Sequence, residues 1–251
     1  MGRLMMALTV LCLGASTAAR AEMAPPEWRW APGSTYQEWH FDAEASPATP
    51  EVLYNPFGSP TATLAPDMYS SGWWDTGLVF GVRQGFWDLG SGTMMLQLPP
   101  GYYSEIWVET VYYRDLSLPP AVTVQGALLA GPAEVVELEA GYSAPAAWYA
   151  ERTKWVFPTR ATARTVCITG NRTWGSVVDA VVVDTRSERP IPGDTNLDCA
   201  VNILDLVGVR NHLSQAASSG DNWRYDLNAD GAINVLDLIY VRNRLGEKCR
   251  Q

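Results

Sequence analysis

The sequence predicts a mainly β protein, an antiparallel β-sandwich followed by a small all-α module, and three observations carry that expectation. Short runs rich in β-branched and aromatic residues, separated by glycine and proline, fill the chain up to about residue 184. No stretch among them sustains a helical period. Near the C-terminus a segment repeats itself without gaps after 32 residues, from Asp194 and again from Asp226.

Composition agrees. The 251 residues are 47% hydrophobic and only 18% charged, which is too apolar for a disordered chain. Eleven Trp and eleven Tyr, with 21 Gly and 17 Pro, suit many short strands joined by tight turns. A net charge of -9 offers no basic surface to a phosphate backbone, so nucleic acid is not an expected partner.

The first element is a leader. Met1-Gly-Arg3, an apolar run from Leu4 to Ala15 and the small-residue ending Ala19-Arg20-Ala21 form the three parts of a secretory signal over residues 1–21, with cleavage after Ala21. The run is too short to span a bilayer, and no later stretch reaches the roughly 20 apolar residues that a membrane span needs. A secreted, extracellular protein is expected. Leu11 precedes Cys12 where a lipid-anchor signal carries a small residue, so no anchor is expected. Cys167, Cys199 and Cys249 remain after cleavage, and an odd count in an oxidising compartment allows one internal disulfide at most.

Residues 22–184 then read as the sandwich. Expected strands are Tyr36–Phe41, Gly77–Val82, Thr93–Leu98, Glu105–Tyr112, Ala121–Val124, Trp155–Phe157, Arg164–Thr169 and Val177–Asp184, with turns at Asn55–Gly58, Leu89–Gly92, Pro99–Gly101 and Gly170-Asn171. Alternation along 105–112 puts Glu105 and Glu109 on one face of one strand. Residues 185–192, with two prolines among charged side chains, read as a linker, and 193–251 as the second module.

Each repeat opens with oxygen-bearing side chains at positions one, three, five, nine and twelve, the spacing of a twelve-residue calcium loop. A hard cation takes six to eight oxygens, and alternate residues of a tight loop aim at one point while a main-chain carbonyl at position seven adds a ligand. Loop one would use Asp194, Asn196, Asp198, the Ala200 carbonyl and Asp205, and loop two Asp226, Asn228, Asp230, the Ala232 carbonyl and Asp237. Asn202 and Asn234 stand at position nine, where contact runs through water, and Gly231 at position six supplies a positive φ. Two calcium ions are expected. Position twelve is Asp rather than Glu, and no helix precedes loop one. Each unit is therefore a loop followed by one helix, Leu204–Leu213 or Leu236–Leu245, with apolar stripes Leu206/Val209/Leu213 and Leu238/Val241/Leu245. Such short helices pack only when the loops are ordered, which makes calcium a folding ligand.

The duplicated motif over residues 193–249 resembles the dockerin type I family. That resemblance implies docking onto a cohesin domain through positions ten and eleven, here Ile203-Leu204 and Val235-Leu236, and through Arg210-Asn211 and Arg242-Asn243. Two near-identical faces imply docking in either of two orientations. The apolar pairs differ from the small hydroxyl pairs of the best-known cellulosomal dockerins, so the cohesin type is not carried over; packing of the small core is the other reading of these pairs. Cys199 replaces the expected Gly at position six. Because the two ends of a dockerin lie close together, the resemblance also implies a Cys199–Cys249 disulfide, leaving Cys167 as a free thiol.

For the sandwich, several readings stay open. Its single histidine, His40, reads as structural rather than as a catalytic base. Glu38, Glu105 and Glu109 are candidate paired carboxylates for glycoside hydrolysis, although solvated strand faces would also carry them. Trp73-Trp74, Trp87, Trp107, Trp148, Trp155 and Trp174 include candidate sugar-stacking rings. The ending Val177–Asp184 is loosely similar to the last strand of jelly-roll carbohydrate-binding modules. A non-catalytic module with a carbohydrate or cell-surface ligand is the leading expectation. A small polysaccharide-degrading hydrolase and a structural or adhesive surface protein are the alternatives.

Overall fold

In the computed structural model the described residues are 23–31, 33–55, 58–75, 83, 85–99, 103–115, 119–141, 145–161, 165–173, 175–187, 191–196, 198, 200–217, 222–228 and 230–248. Thirteen strands are seen among them: β1 Ser34–Trp39, β2 Val52–Tyr54, β3 Thr61–Ala65, β4 Gly72–Trp74, β5 Phe86–Asp88, β6 Thr93–Gln97, β7 Tyr103–Arg114, β8 Ala121–Val124, β9 Leu128–Leu129, β10 Glu134–Ala140, β11 Ala147–Ala161, β12 Thr165–Thr169 and β13 Val177–Ser187. They form two antiparallel sheets. The larger runs β10-β11-β7-β13-β1-β2, with β9 on β11 and the β4–β5 pair on β13; the smaller runs β3-β6-β12-β8.

The core lies between the sheets because β-branched and aromatic residues alternate inward on both. Trp39, Ile106, Val108, Trp155, Val181 and Val183 of the large sheet meet Leu64, Met94, Leu96, Val124, Val166 and Ile168 of the small one. A second apolar cluster, with Phe86, Val111, Trp148, Ala150 and Ala180, packs the outer side of the large sheet. Val178 and Ala180 are separated by a bulge against β7, which places Asp179 as the extra residue.

Seven of the eight expected strands are present, and Gly77–Val82 falls outside the described residues. The expected Trp155–Phe157 strand belongs to the much longer β11, and β2, β3, β4, β5, β9 and β10 were not anticipated. β13 continues to Ser187, so Thr185, Arg186 and Ser187 are sheet residues: Thr185 pairs with both Thr35 and Ile106. The chain then enters the C-terminal module, which carries α1 Ile203–Asn211 and α2 Val235–Arg242 around a core of Val201, Val209, Leu227, Ile233 and Val241. The ring of Trp223 stands beside Gly33 at the start of β1: a Cβ there would meet it at 3.6 Å and the Ser187 carbonyl oxygen at 2.7 Å. No helix among the described residues is long and apolar enough to cross a membrane.

Candidate metal centres and docking face

Both loops are built by the same hydrogen bonds, set by side chains at the same positions. In loop one, Asp205 at position twelve is fully buried; its Oδ1 accepts from Thr195 N at 2.7 Å and Asn196 N at 3.2 Å, and its Oδ2 from Asn202 N at 2.8 Å. Asp237 repeats this with Leu227 N at 2.6 Å, Asn228 N at 3.3 Å and Asn234 N at 2.8 Å. Each aspartate closes a capping box with the Asn at position nine, whose side chain accepts from Leu204 N or Leu236 N at 2.8 Å. Position twelve thus ties the start of the loop to the first turn of the helix.

The remaining oxygen donors gather around position five. Asp198 N donates to Asp194 Oδ1 at 3.1 Å, Asn196 Nδ2 donates to Asp198 Oδ2 at 2.9 Å, and Asn202 Nδ2 lies 3.3 Å from the Ala200 carbonyl oxygen. The loop-two distances are 3.2, 2.8 and 3.2 Å for Asp230–Asp226, Asn228–Asp230 and Asn234–Ala232. The Asn228 amide and the Ala232 N–H hold the Asp230 carboxyl below the usual carboxylate range. Asp194 is fully buried and Asp226 nearly so. Among the described residues no group of three or more His, Cys, Asp or Glu side chains could by itself hold a metal ion. The donor set instead mixes carboxylates with asparagine amides and one carbonyl, all oxygen, and it brings three aspartates into each twelve-residue loop. That chemistry fits calcium and not a soft metal.

The loops differ at position six. Gly231 takes φ +87°, and its N–H donates to Asp226 Oδ2 at 2.9 Å. Cys199 lies outside the described residues, as does Cys249. Their neighbours are paired: Ala200 bridges Lys248 in antiparallel fashion, Val201 N donates to Glu247 O at 2.9 Å and Gly246 N to Val201 O at 2.9 Å. Cys167 is described and carries no disulfide.

The helices end earlier than their apolar spacing suggested. α1 stops at Asn211 and α2 at Arg242, so Leu213 and Leu245 sit in turns, 36% and 47% exposed, rather than on the buried stripe. Val201 and Ile233 at position eight fill that place in the core. Conversely, Ile203, Leu204, Val235 and Leu236 are 65%, 58%, 61% and 53% exposed, which overturns the alternative that they pack the small core. Arg210, Asn211 and Arg242 are exposed on the same helices with Asn243 at the C-cap of α2, and Val207 and Ile239 extend the apolar surface.

In the sandwich, the three candidate carboxylates share the outer face of the large sheet. Glu38 and Glu109 lie in one row across it, both opposite Val182, and Glu109 is opposite Arg152. Both glutamates are buried. Glu38 faces His40 Nε2 at 3.4 Å, and Glu109 accepts from Arg152 Nη2 at 2.7 Å and from Met23 N at 3.3 Å. Glu105 accepts from the Trp107 indole. Arg29 pairs with the buried Asp184, whose carboxyl burial nevertheless pushes up, and Arg83 spans Asp179 and Glu139. These arginines neutralise the buried carboxylates of Asp184, Asp179 and Glu109, and Arg152 also donates to the Ala24 carbonyl oxygen at 2.8 Å, which is a structural use of the charges.

Of the candidate tryptophans, Trp87, Trp148 and Trp155 are core, Trp73, Trp74 and Trp107 are half-buried, and Trp174 lies outside the described residues. The open aromatic rings are others: Tyr69 at 82%, Trp30 at 58% and Tyr54 at 45%. No sequence signal separates them from core rings, because exposure is decided by which strand covers which.

Residues 192–246 match the family model of the dockerin type I domain. No curated protein and no solved structure matches the chain. A dockerin type I domain implies a cohesin as docking partner, and calcium as its bound cation.

Proposed function

We propose that this is a secreted protein whose calcium-ordered dockerin carries the β-sandwich onto a cohesin-bearing partner, where the sandwich binds carbohydrate in polysaccharide catabolism. The observation that carries the docking half is the duplicated apolar face, Ile203-Leu204 and Val235-Leu236, left open on two helices whose capping aspartates also close the cation loops. Exposed aliphatic pairs repeated on two like elements let either pair meet the same partner surface, giving two docking orientations.

Two calcium ions would be held by Asp194, Asn196, Asp198, the Ala200 carbonyl and Asp205, and by Asp226, Asn228, Asp230, the Ala232 carbonyl and Asp237, with Asn202 and Asn234 reaching through water. Bound calcium supplies the positive charge that relieves the repulsion of three carboxylates in each loop. The chain's own residues do the rest: Asp205 and Asp237 fix the first turn of each helix, and the helices present Arg210, Asn211, Arg242 and Asn243 beside the apolar pairs. A Cys199–Cys249 disulfide would clasp the ends of the module. The Ala200–Lys248 bridge supports it, since the next residue outward on each side is a cysteine.

Calorimetric titration of the chelator-treated chain with calcium tests the first half, with helical circular dichroism read in parallel. Two sites and a gain of helical signal are expected, followed by cohesin binding in calcium alone. Heat and dichroism both indifferent to calcium would refute it. For the sandwich, the carbohydrate reading is supported by the open ring of Tyr69, and the non-catalytic reading by the burial of Glu38 and Glu109. Retention on polysaccharides without release of reducing sugar is the expected result; released sugar would favour the hydrolase.

A further inference from the structure

Away from the buried carboxylate row, one end of the sandwich opens into a cleft of 450 Å³, lined among others by Asp67, Tyr69, Asp88, Ser91, Arg172 and Thr173. Its volume falls in the range of small-molecule sites, roughly 300–1,000 Å³. Three turns from both sheets form it: the one between β3 and β4, the one between β5 and β6, and the one between β12 and β13. We infer that this cleft is the carbohydrate site of the sandwich, taking a neutral sugar residue between the ring of Tyr69 and the side chain of Arg172. The inference rests on the carbohydrate reading above and names where that binding occurs.

The chemistry of the lining selects the ligand class. Two carboxylates disfavour an anion, and the Arg172 guanidinium disfavours a cation. Hydroxyl and amide groups supply donors and acceptors side by side, which is what a polyol asks for, because each sugar hydroxyl both donates and accepts. Tyr69, 82% exposed, adds a flat apolar surface for the C–H face of a pyranose.

The walls are also fixed before any ligand arrives. Asp67 accepts from Tyr69 N at 2.9 Å and from the Ser91 hydroxyl, bonds that hold its carboxyl below the usual range. Asp88 accepts from Gly90 N at 2.8 Å and Ser71 N at 2.8 Å. Leu89 N donates to Ser176 O and Gly170 N to Gly92 O, both at 2.8 Å, so the three turns are bonded to one another. A Cβ at Gly90, where φ is +56°, would stand 2.1 Å from Asp67 Oδ1, so only glycine lets these turns close on each other. A site ordered in advance loses little entropy on binding.

The full chain would be run in native gels containing glucomannan, xylan, mixed-linkage β-glucan or polygalacturonate, beside Tyr69→Ala, Arg172→Ala and Trp30→Ala variants. Each variant is first shown to melt with the wild-type cooperativity. Retardation by at least one neutral polymer is expected, weakened about tenfold by Tyr69→Ala, the scale of one aromatic contact. Arg172→Ala should weaken it too, and Trp30→Ala should leave it unchanged. Retardation that survives Tyr69→Ala and Arg172→Ala, or that is lost in Trp30→Ala instead, overturns the cleft while leaving the carbohydrate reading standing. Retardation by polygalacturonate alone overturns the neutral ligand. No retardation in any gel overturns the carbohydrate reading, and the cleft with it.

Discussion

Loop one and loop two of the C-terminal module are the same device built twice, and they differ where the sequence breaks its own repeat. The bonds of Asp205 and Asp237 to their loops match to within 0.1 Å, at 2.7 against 2.6 Å, 3.2 against 3.3 Å and 2.8 against 2.8 Å. Local spacing alone therefore reproduces the geometry, whatever surrounds it. At position six the loops part, Gly231 against Cys199, and past the helices His212 stacks on Tyr225 at 3.7 Å where Arg244 lies over Tyr240 at 4.0 Å. Equivalence of the loops follows from short-range bonding; their inequality comes from what each meets farther along the chain.

The largest expected effect breaks both halves of the comparison together. Asp205→Ala with Asp237→Ala removes three backbone hydrogen bonds per loop, each to a charged acceptor, a loss of several times about 1.5 kcal/mol. Calcium heats, helical dichroism and cohesin binding should all disappear. The sandwich has its own core, so its thermal transition should move little; a sandwich that unfolded with the module would show that the contact of Trp223 beside Gly33 couples the two.

The proposed Cys199–Cys249 clasp would belong to loop one alone. Cys199→Ser should lower module stability by about 4 kcal/mol, the chain-entropy value for closing about 50 residues, with no such change on reduction of the variant. Non-reducing peptide mapping checks the pairing, and a cross-link to Cys167 would refute it. Cys199→Gly, measured under reducing conditions, isolates the backbone term. If position six takes the left-handed conformation of Gly231, glycine should tighten calcium binding at loop one by about 1 kcal/mol, or roughly fivefold.

The smallest effect is the most exacting test of equivalence. With two interchangeable docking faces, Leu204→Asp or Leu236→Asp alone should weaken cohesin binding only about twofold, the statistical cost of losing one of two orientations. Both together should abolish it. A single substitution that abolished binding would mean that the two faces are not interchangeable.

The sequence disclosed the loops because each is a local object: residue identity and spacing within twelve residues specify it, and Asp194 to Asp205 can be read without knowing the fold. Helix ends were less legible. Leu213 and Leu245 continue an apolar period, yet α1 and α2 stop before them, and Val201 and Ile233 take the core positions instead. The strands Ala121–Val124 and Val177–Asp184 declared themselves through β-branched runs, whereas β10, Glu134–Ala140, intersperses three glutamates among its apolar residues on an exposed edge and breaks the alternation at Val135-Val136.

Readable from the sequence alone is the division into a β-rich region and a duplicated loop–helix unit, with the oxygen-bearing loop positions numbered. Those features depend on composition, on spacing within a dozen residues and on a repeat at a fixed offset of 32. The tertiary structure alone decided that Glu38 is buried beside His40 and Glu109 against Arg152, that Trp148 is core while Tyr69 is open, and that three turns distant in sequence share one cleft. Burial is a property of the surface that covers a residue, and in this sandwich that surface is contributed by strands tens of residues away.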